Sequence, residues 1–228
     1  MENGRGAVLH RMDVAPERIE GWLTEFAARH GATTTTVDAG RTIVTARAAD
    51  GAVAQCHVPF PPLPAAAATG AVLAAHAAAD RTVGVLLVRL GGYAAGVFAG
   101  APPRLIASKV GSRLVHGRSA AGGQSQQRFA RRREKQAREA LTAAADCAAG
   151  VFGPYHERLD AVVLGGDRRA MAALRDDPRL GRYFDLAVDR FLTVPDPRLA
   201  VLQGTPRLFR AIQIRLTGTG GAEGSIAS

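Results

Sequence analysis

Residues 125–149, SQQRFARRREKQAREALTAAADCAA, leave little choice of local structure. Set at 100° per residue, Arg128, Arg131, Arg132, Lys135, Arg138 and Glu139 fall within one arc of about 120°. Phe129, Ala137, Ala140, Leu141, Ala144 and Ala148 fall on the opposite side. This is a long helix that docks by a narrow face of small apolar residues and shows a cationic face to its surroundings. Arg133 lies on the apolar side, close enough to the N-terminal end to reach out. Guanidinium groups pair with phosphate through two hydrogen bonds at once, so the exposed face suits the backbone of a folded RNA.

The distribution of charge sharpens this reading. The 228-residue chain has a net charge of +9. Between Arg104 and Arg138 ten Lys and Arg face a single acid, Glu134, while the remainder carries 19 basic and 19 acidic residues. The excess is therefore a localised patch, as expected for a surface that neutralises phosphates. Besides the helix residues it includes Lys109, Arg113 and Arg118 near the preceding segment. Other classes are excluded or disfavoured. No apolar run approaches the ~18 residues of a membrane span, and residues 1–10 have no signal-peptide character, so a cytoplasmic protein with no membrane partner is expected. Cys56 and Cys147 are far apart and form no CxxC, and the six histidines are scattered. Neither a metal site nor a cofactor is implied, and the cysteines read as small apolar fillers.

The pattern along the chain divides in two. Pro16 suits a first helical turn, and Ile19, Trp22, Leu23 and Phe26 recur at helical spacing up to Gly31. Thr33–Val37 and Thr42–Ala46 flank a turn at 38–40 as a hairpin, with a third strand over 51–58. Residues 1–64 thus form a small α+β unit, and a Pro-rich exit leads to a helix over 65–79, within a connecting segment 65–80. From residue 81 the apolar runs 82–90, 93–98, 105–110, 159–164, 186–192 and 208–216 read as strands. Residues 168–174 read as a helix after the turn Gly165-Gly166-Asp167, with Asp167 as its N-cap. The expectation is an α/β domain over 81–216, a mixed sheet of about five strands with flanking helices. Residues 217–228 read as a disordered tail.

Between the strand 105–110 and the long helix stand His116-Gly117-Arg118-Ser119-Ala120-Ala121-Gly122-Gly123-Gln124-Ser125. Adjacent glycines permit backbone angles closed to other residues and let another molecule approach the main chain. The N–H of Gln124, near a helix N-terminus, can stabilise negative charge developing on an oxygen. By itself Gly-Gly-Gln reads more readily as a flexible loop ending in a helix cap. A serine-hydrolase reading of His116 and Ser125 lacks the GxSxG elbow.

With its flanks the segment is more specific. His116-Gly117-Arg118, Gly122-Gly123-Gln124-Ser125 and Arg128-Phe129-Ala130-Arg131 resemble the catalytic loop of eukaryotic and archaeal class-1 peptide-chain release factors, whose signature runs HGRGGQS and then RFAR. Residues 83–98 and 160–166 resemble strands of the same middle domain, and the resemblance covers about 81–205. It implies an RNase H-like fold and a loop that enters the peptidyl-transferase centre of the large ribosomal subunit. There the glutamine coordinates the water that attacks the peptidyl-tRNA ester, which makes Gly122, Gly123 and Gln124 the catalytic residues and rRNA and peptidyl-tRNA the partners. Arg118, Arg128, Arg131, Arg132, Arg133, Lys135, Arg138, Lys109 and Arg113 would bind RNA.

Three departures narrow the expectation. Ser119-Ala120-Ala121 lengthens the loop. Residues 1–64 hold no counterpart of the codon-reading domain, and little chain follows Leu216 for a partner-binding domain. A release-factor middle domain without a decoding module resembles the Vms-like release factor (VLRF) family, in an actinobacterial-type form. That resemblance implies codon-independent release of nascent chains from stalled ribosomes or split large subunits, possible quality-control factors among the partners included. The alternatives are cleavage of the tRNA near its 3′ end and a non-catalytic ribosome-binding adaptor.

Overall fold

The computed structural model describes residues 8–64, 68–89, 91–112 and 125–218, without the side chains of 8, 9, 125–130 and 133. Two units with separate cores emerge: 1–79 together with 210–228, and 80–209.

The first unit is an antiparallel five-stranded sheet with helices on one face. β1 (Val8–Val14) leads through a 3-10 turn at Pro16–Arg18 into α1 (Ile19–His30). β2 (Thr33–Val37), β3 (Ile43–Ala48) and β4 (Val53–His57) form the meander expected from their β-branched residues, and α2 (Gly70–Ala78) follows. The β2–β3 turn is set by Asp38, whose carboxylate accepts from Thr42 N at 2.7 Å, Ile43 N at 2.6 Å and Thr42 Oγ1 at 2.9 Å. Period-two alternation puts Val44, Ala46, Ala54 and Cys56 under Ile19, Phe26, Leu73 and Ala77 of the helices. Burial raises the Cys56 thiol to about 12, so it stays a neutral filler.

The second unit begins with a β-hairpin, β5 (Val83–Arg89) and β6 (Gly92–Ala99), followed by β7 (Arg104–Ser112). α3 (Ser125–Phe152) returns the chain to β8 (Ala161–Gly166). α4 (Arg168–Leu174) and α5 (Gly181–Asp185) lead to β9 (Ala187–Leu192), and α6 (Leu199–Gln203) and α7 (Thr205–Phe209) close the unit. The sheet order is β7-β6-β5-β8-β9. β6 runs antiparallel to β5 and β7, whereas β5, β8 and β9 are parallel. This is the mixed α/β, RNase H-like arrangement expected. β5 is buried almost throughout because both faces are covered. Leu86, Val88 and Val162 meet α3, Met171 of α4 and Tyr183 of α5, whereas Leu202 of α6 lies over Gly96 and Phe209 of α7 packs edge-on against Phe98.

The domain boundaries differ from those expected. The last strand is β10 (Ile212–Thr217), and it belongs to the first sheet, whose order is β1-β10-β4-β3-β2. The alternation of Ile212, Ile214 and Leu216 predicts a half-buried strand correctly, but periodicity does not say which sheet accepts it. Residues 208 and 209 are helical. The second unit therefore ends at 209, short of 216, and is inserted in the sequence of the first. Likewise α2 is no connector: Leu73 and Ala77 are fully buried in the first core. β1 is a strand the sequence reading missed. Residues 219–228 of the expected tail lie outside the described residues, and Thr217 is part of β10.

Candidate functional site

The segment expected to act chemically connects β7 to α3. Gly122, Gly123 and Gln124, together with Arg113, Arg118 and the stretch Ser119-Ala120-Ala121, lie outside the described residues. What the structure describes is the pair of elements between which they run.

β7 ends at Ser112, opposite Gly92 where β6 begins, so the segment leaves the sheet beside the β5–β6 turn. α3 then runs back along the sheet. Its C-terminal half is anchored: Ala144, Ala145, Cys147, Ala148 and Phe152 are buried against β5 and β6. The Cys147 thiol donates to the Lys109 carbonyl at 3.4 Å, and burial raises its pKa, so it too is inert. The small-residue face thus docks as its pattern predicts, and the helix runs three residues beyond the expected end at 149.

The Cys147–Lys109 contact also fixes how far the helix projects. Lys109 precedes the end of β7 by three residues, roughly 10 Å of strand. That length corresponds to about seven residues of helix. α3 therefore passes the edge of the sheet near residue 140. Burial agrees: Ala144 is fully buried and Leu141 is half-buried, while Arg131, Arg132, Glu134 and Lys135 are exposed. The N-terminal part of α3 is an arm that runs beyond the sheet.

Among the described side chains, Arg131, Arg132, Lys135 and Arg138 share this arm and are exposed. Arg128 and Arg133 are on its backbone, with side chains outside the description. Both glutamates of the arm form i,i+4 pairs, Arg138–Glu134 at 3.5 Å and Lys135–Glu139 at 4.0 Å. The face is therefore less purely cationic than its sequence suggested, four cations meeting two carboxylates among the described side chains. Such exposed pairs contribute only about 0.3–0.5 kcal/mol each, so a phosphate can displace them at little cost. Lys109 is exposed too, but stands beside the anchored half of α3. Some 16 residues of helix, roughly 24 Å, separate that level from Arg131. The structure does not bring Lys109 into the arm's patch.

A shallow groove of about 460 Å³ lies along α3, lined by Lys135, Arg138, Glu139, Thr142, Ala143 and Asp146. Asp146 of this lining pairs with Arg179, which also pairs with Asp177 at 2.7 Å. The Arg179 side chain, first among the causes, holds the Asp177 carboxyl below its ordinary range. Among the described residues no cluster of His, Cys, Asp and Glu could hold a metal ion, and no helix is long and apolar enough to cross a membrane.

The Gly165-Gly166-Asp167 turn has a structural explanation. Gly166 has φ +101°, and a Cβ there would stand 2.1 Å from the Val88 carbonyl oxygen. Asp167 caps α4 by accepting from Ala170 N at 2.8 Å, as expected.

A five-stranded mixed sheet followed, after its third strand in sequence, by a long helix with a basic N-terminal half makes up an α/β domain. Residues 81–215 match the family described as the Actinobacteria/chloroflexi VLRF1 release factor. The chain belongs to that family. Among solved structures it is similar to the crystal structure of an archaeal translation termination factor, aRF1, at 14% identity and a TM-score of 0.38, over 72% of this chain and 51% of that one. It is also similar to the Vms1 mitochondrial localization core, at 9% identity and a TM-score of 0.41, over 79% of this chain and 77% of that one. A third, described as an archaeal protein, has 16% identity and a TM-score of 0.35, over 72% and 52%. The chain spans about half the length of the archaeal termination factor. No curated protein matches it.

Proposed function

We propose that the chain is a codon-independent peptidyl-tRNA hydrolase that frees nascent peptides from stalled ribosomes or split large subunits, in the cytoplasm. The observation that carries this reading is a helix whose anchored root leaves its basic N-terminal half clear of the sheet, with Gly122-Gly123-Gln124 immediately before it in the sequence. An arm of this kind reaches into a crevice in RNA while its cations neutralise the phosphates lining the way. Family membership and the Gly-Gly-Gln resemblance support the same chemistry.

In that chemistry a water oxygen attacks the ester carbonyl carbon between peptide and tRNA. The carbonyl oxygen takes up negative charge, and the tRNA 3′ oxygen leaves and acquires a proton. The peptide departs as a carboxylic acid. Gln124 orients the water and directs its backbone N–H at the developing charge. The glycines before it allow the main chain to come close. Much of the surrounding site is RNA, so catalysis away from the ribosome should be weak.

The test uses purified protein and large subunits that carry peptidyl-tRNA. The parent should yield free peptide and full-length tRNA. Gln124→Ala keeps the backbone N–H but loses the side chain that orients the water, so it should bind the subunits normally and reduce release by about 100-fold, the scale of a misplaced reactant. Full release by Gln124→Ala would refute the hydrolase reading. A tRNA shortened at its 3′ end would replace it with nucleolytic cleavage, and binding without turnover by the parent with an adaptor.

A further inference from the structure

The sheet of the first unit has two faces, and its helices occupy one. Register defines the other. Arg11 of β1 stands opposite Arg215 of β10, and Arg215 opposite Gln55 of β4. In the row beside it Asp13 stands opposite Gln213, and Arg47 of β3 lies on the same face two strands from β10. Arg11, Arg47, Gln213 and Arg215 are exposed. Their neighbours Val44, Ala46, Ala54, Cys56, Ile212 and Ile214 point the other way, into the core.

Two features of this face point to an anionic ligand. Arg11 and Arg215 are like charges directly opposite each other on adjacent strands, an arrangement that weakens a sheet. Three guanidiniums meet one carboxylate, Asp13, so the face is cationic within a part of the chain whose overall charge is balanced. Arg47 stands two strands and two residues from Arg215, roughly 12 Å away. The spacing suits a run of phosphates more than a single small anion. Beside the arginines are Gln55 and Gln213, which offer neutral donors and acceptors, and the paired positions include no Phe, Tyr or Trp on which a base could stack.

We propose that this sheet face is a second RNA-binding surface, which grips the sugar–phosphate backbone of RNA through Arg11, Arg47 and Arg215 without reading bases. It is a surface separate from α3, made by a different unit. It rests on the ribosomal reading above only for the choice of RNA as the polyanion.

The test measures binding of the full chain to a fluorescein-labelled 12-nucleotide oligouridylate by anisotropy across a salt series. The variants are Arg11→Gln/Arg47→Gln/Arg215→Gln and its charge-preserving counterpart with Lys at the three positions. Losing three phosphate contacts should reduce the slope of log K against log salt by about two. The corresponding loss of affinity at low salt should exceed tenfold. The Lys variant should keep the parent's slope, which separates lost charge from lost folding, and circular dichroism should be the same for all three proteins. A Gln variant with the parent's slope and affinity would overturn the proposal, as would one that binds oligouridylate normally but large subunits poorly, since the face would then contact protein. Gln124→Ala should bind the oligonucleotide like the parent. Release by that variant bears on the hydrolase reading alone, and the salt slope bears on the sheet face alone.

Discussion

Phe152 is the last residue of α3 and the point at which the arm is rooted, so its removal tests the packing account directly. The ring is fully buried, meets Tyr183 edge-on at a centroid distance of 5.2 Å, and lies over Gly84 of β5, where a Cβ would stand 3.3 Å from it. Phe152→Ala removes a fully buried aromatic and should cost about 3–5 kcal/mol, including about 0.5–1.5 for the ring pair. In a chain of this size that corresponds to a fall in Tm of roughly 6–20 °C. The missing side chain at Gly84 makes the prediction sharper. In the parent, Gly84→Ala crowds both Phe152 and Val162 and should cost about 1–3 kcal/mol. In Phe152→Ala the same methyl enters the vacated space and should cost much less. The double-mutant cycle should therefore show a coupling of at least about 1 kcal/mol. Urea unfolding followed by hydrogen exchange supplies the readout, with protection falling in β5, β8 and α3. Protection in β3 and β4 should be preserved, because their core is separate. Additive effects, or a loss below about 1 kcal/mol for Phe152→Ala, would refute the reasoning.

Two further outcomes follow from local geometry. Gly166→Ala must hold an L side chain at φ +101° and push it against the Val88 carbonyl; it should cost about 2–6 kcal/mol, and a loss under 1 kcal/mol in urea melts would show that the turn relaxes freely. Asp38 has its pKa lowered below 3.8, first by the Ile43 backbone N–H, so the folded state keeps the carboxylate while the unfolded chain protonates. Its contribution should be full above about pH 4 and fade as pH falls below that; Asp38→Asn should therefore be less stable at neutral pH and lose less on acidification, and identical pH profiles for the two proteins would contradict this.

What the sequence revealed, and what it hid, follows from how far each feature reaches along the chain. α3 was readable because its docked and cationic faces repeat within a few turns. β5, β6, β8 and α4 were readable for the same reason, with Asp167 in place as a cap. β10 was readable as a strand but not as a strand of the first sheet, because its partners Cys56 and Met12 are more than 150 residues away and pairing of that range leaves no local trace. The cationic sheet face was invisible on the same grounds: Arg11, Arg47 and Arg215 become neighbours only once β10 lies between β1 and β4. The glutamate pairs on α3 were present as i,i+4 spacings that the net charge obscured. Gly-Gly-Gln drew its meaning from the residues around it.

The position of β10 also governs the order in which the molecule can be completed. During synthesis the inserted unit has all of its strands once residue 209 has left the exit tunnel. The first sheet cannot then be finished, because β10 follows residue 209 and is still inside the tunnel. Until β10 arrives, β1 has no neighbour and β4 keeps an unpaired edge, the kind of edge that invites pairing with other chains. The unit with the basic arm can thus fold ahead of the unit that encloses it in sequence, and a product cut short before residue 212 would carry a finished arm on an open sheet.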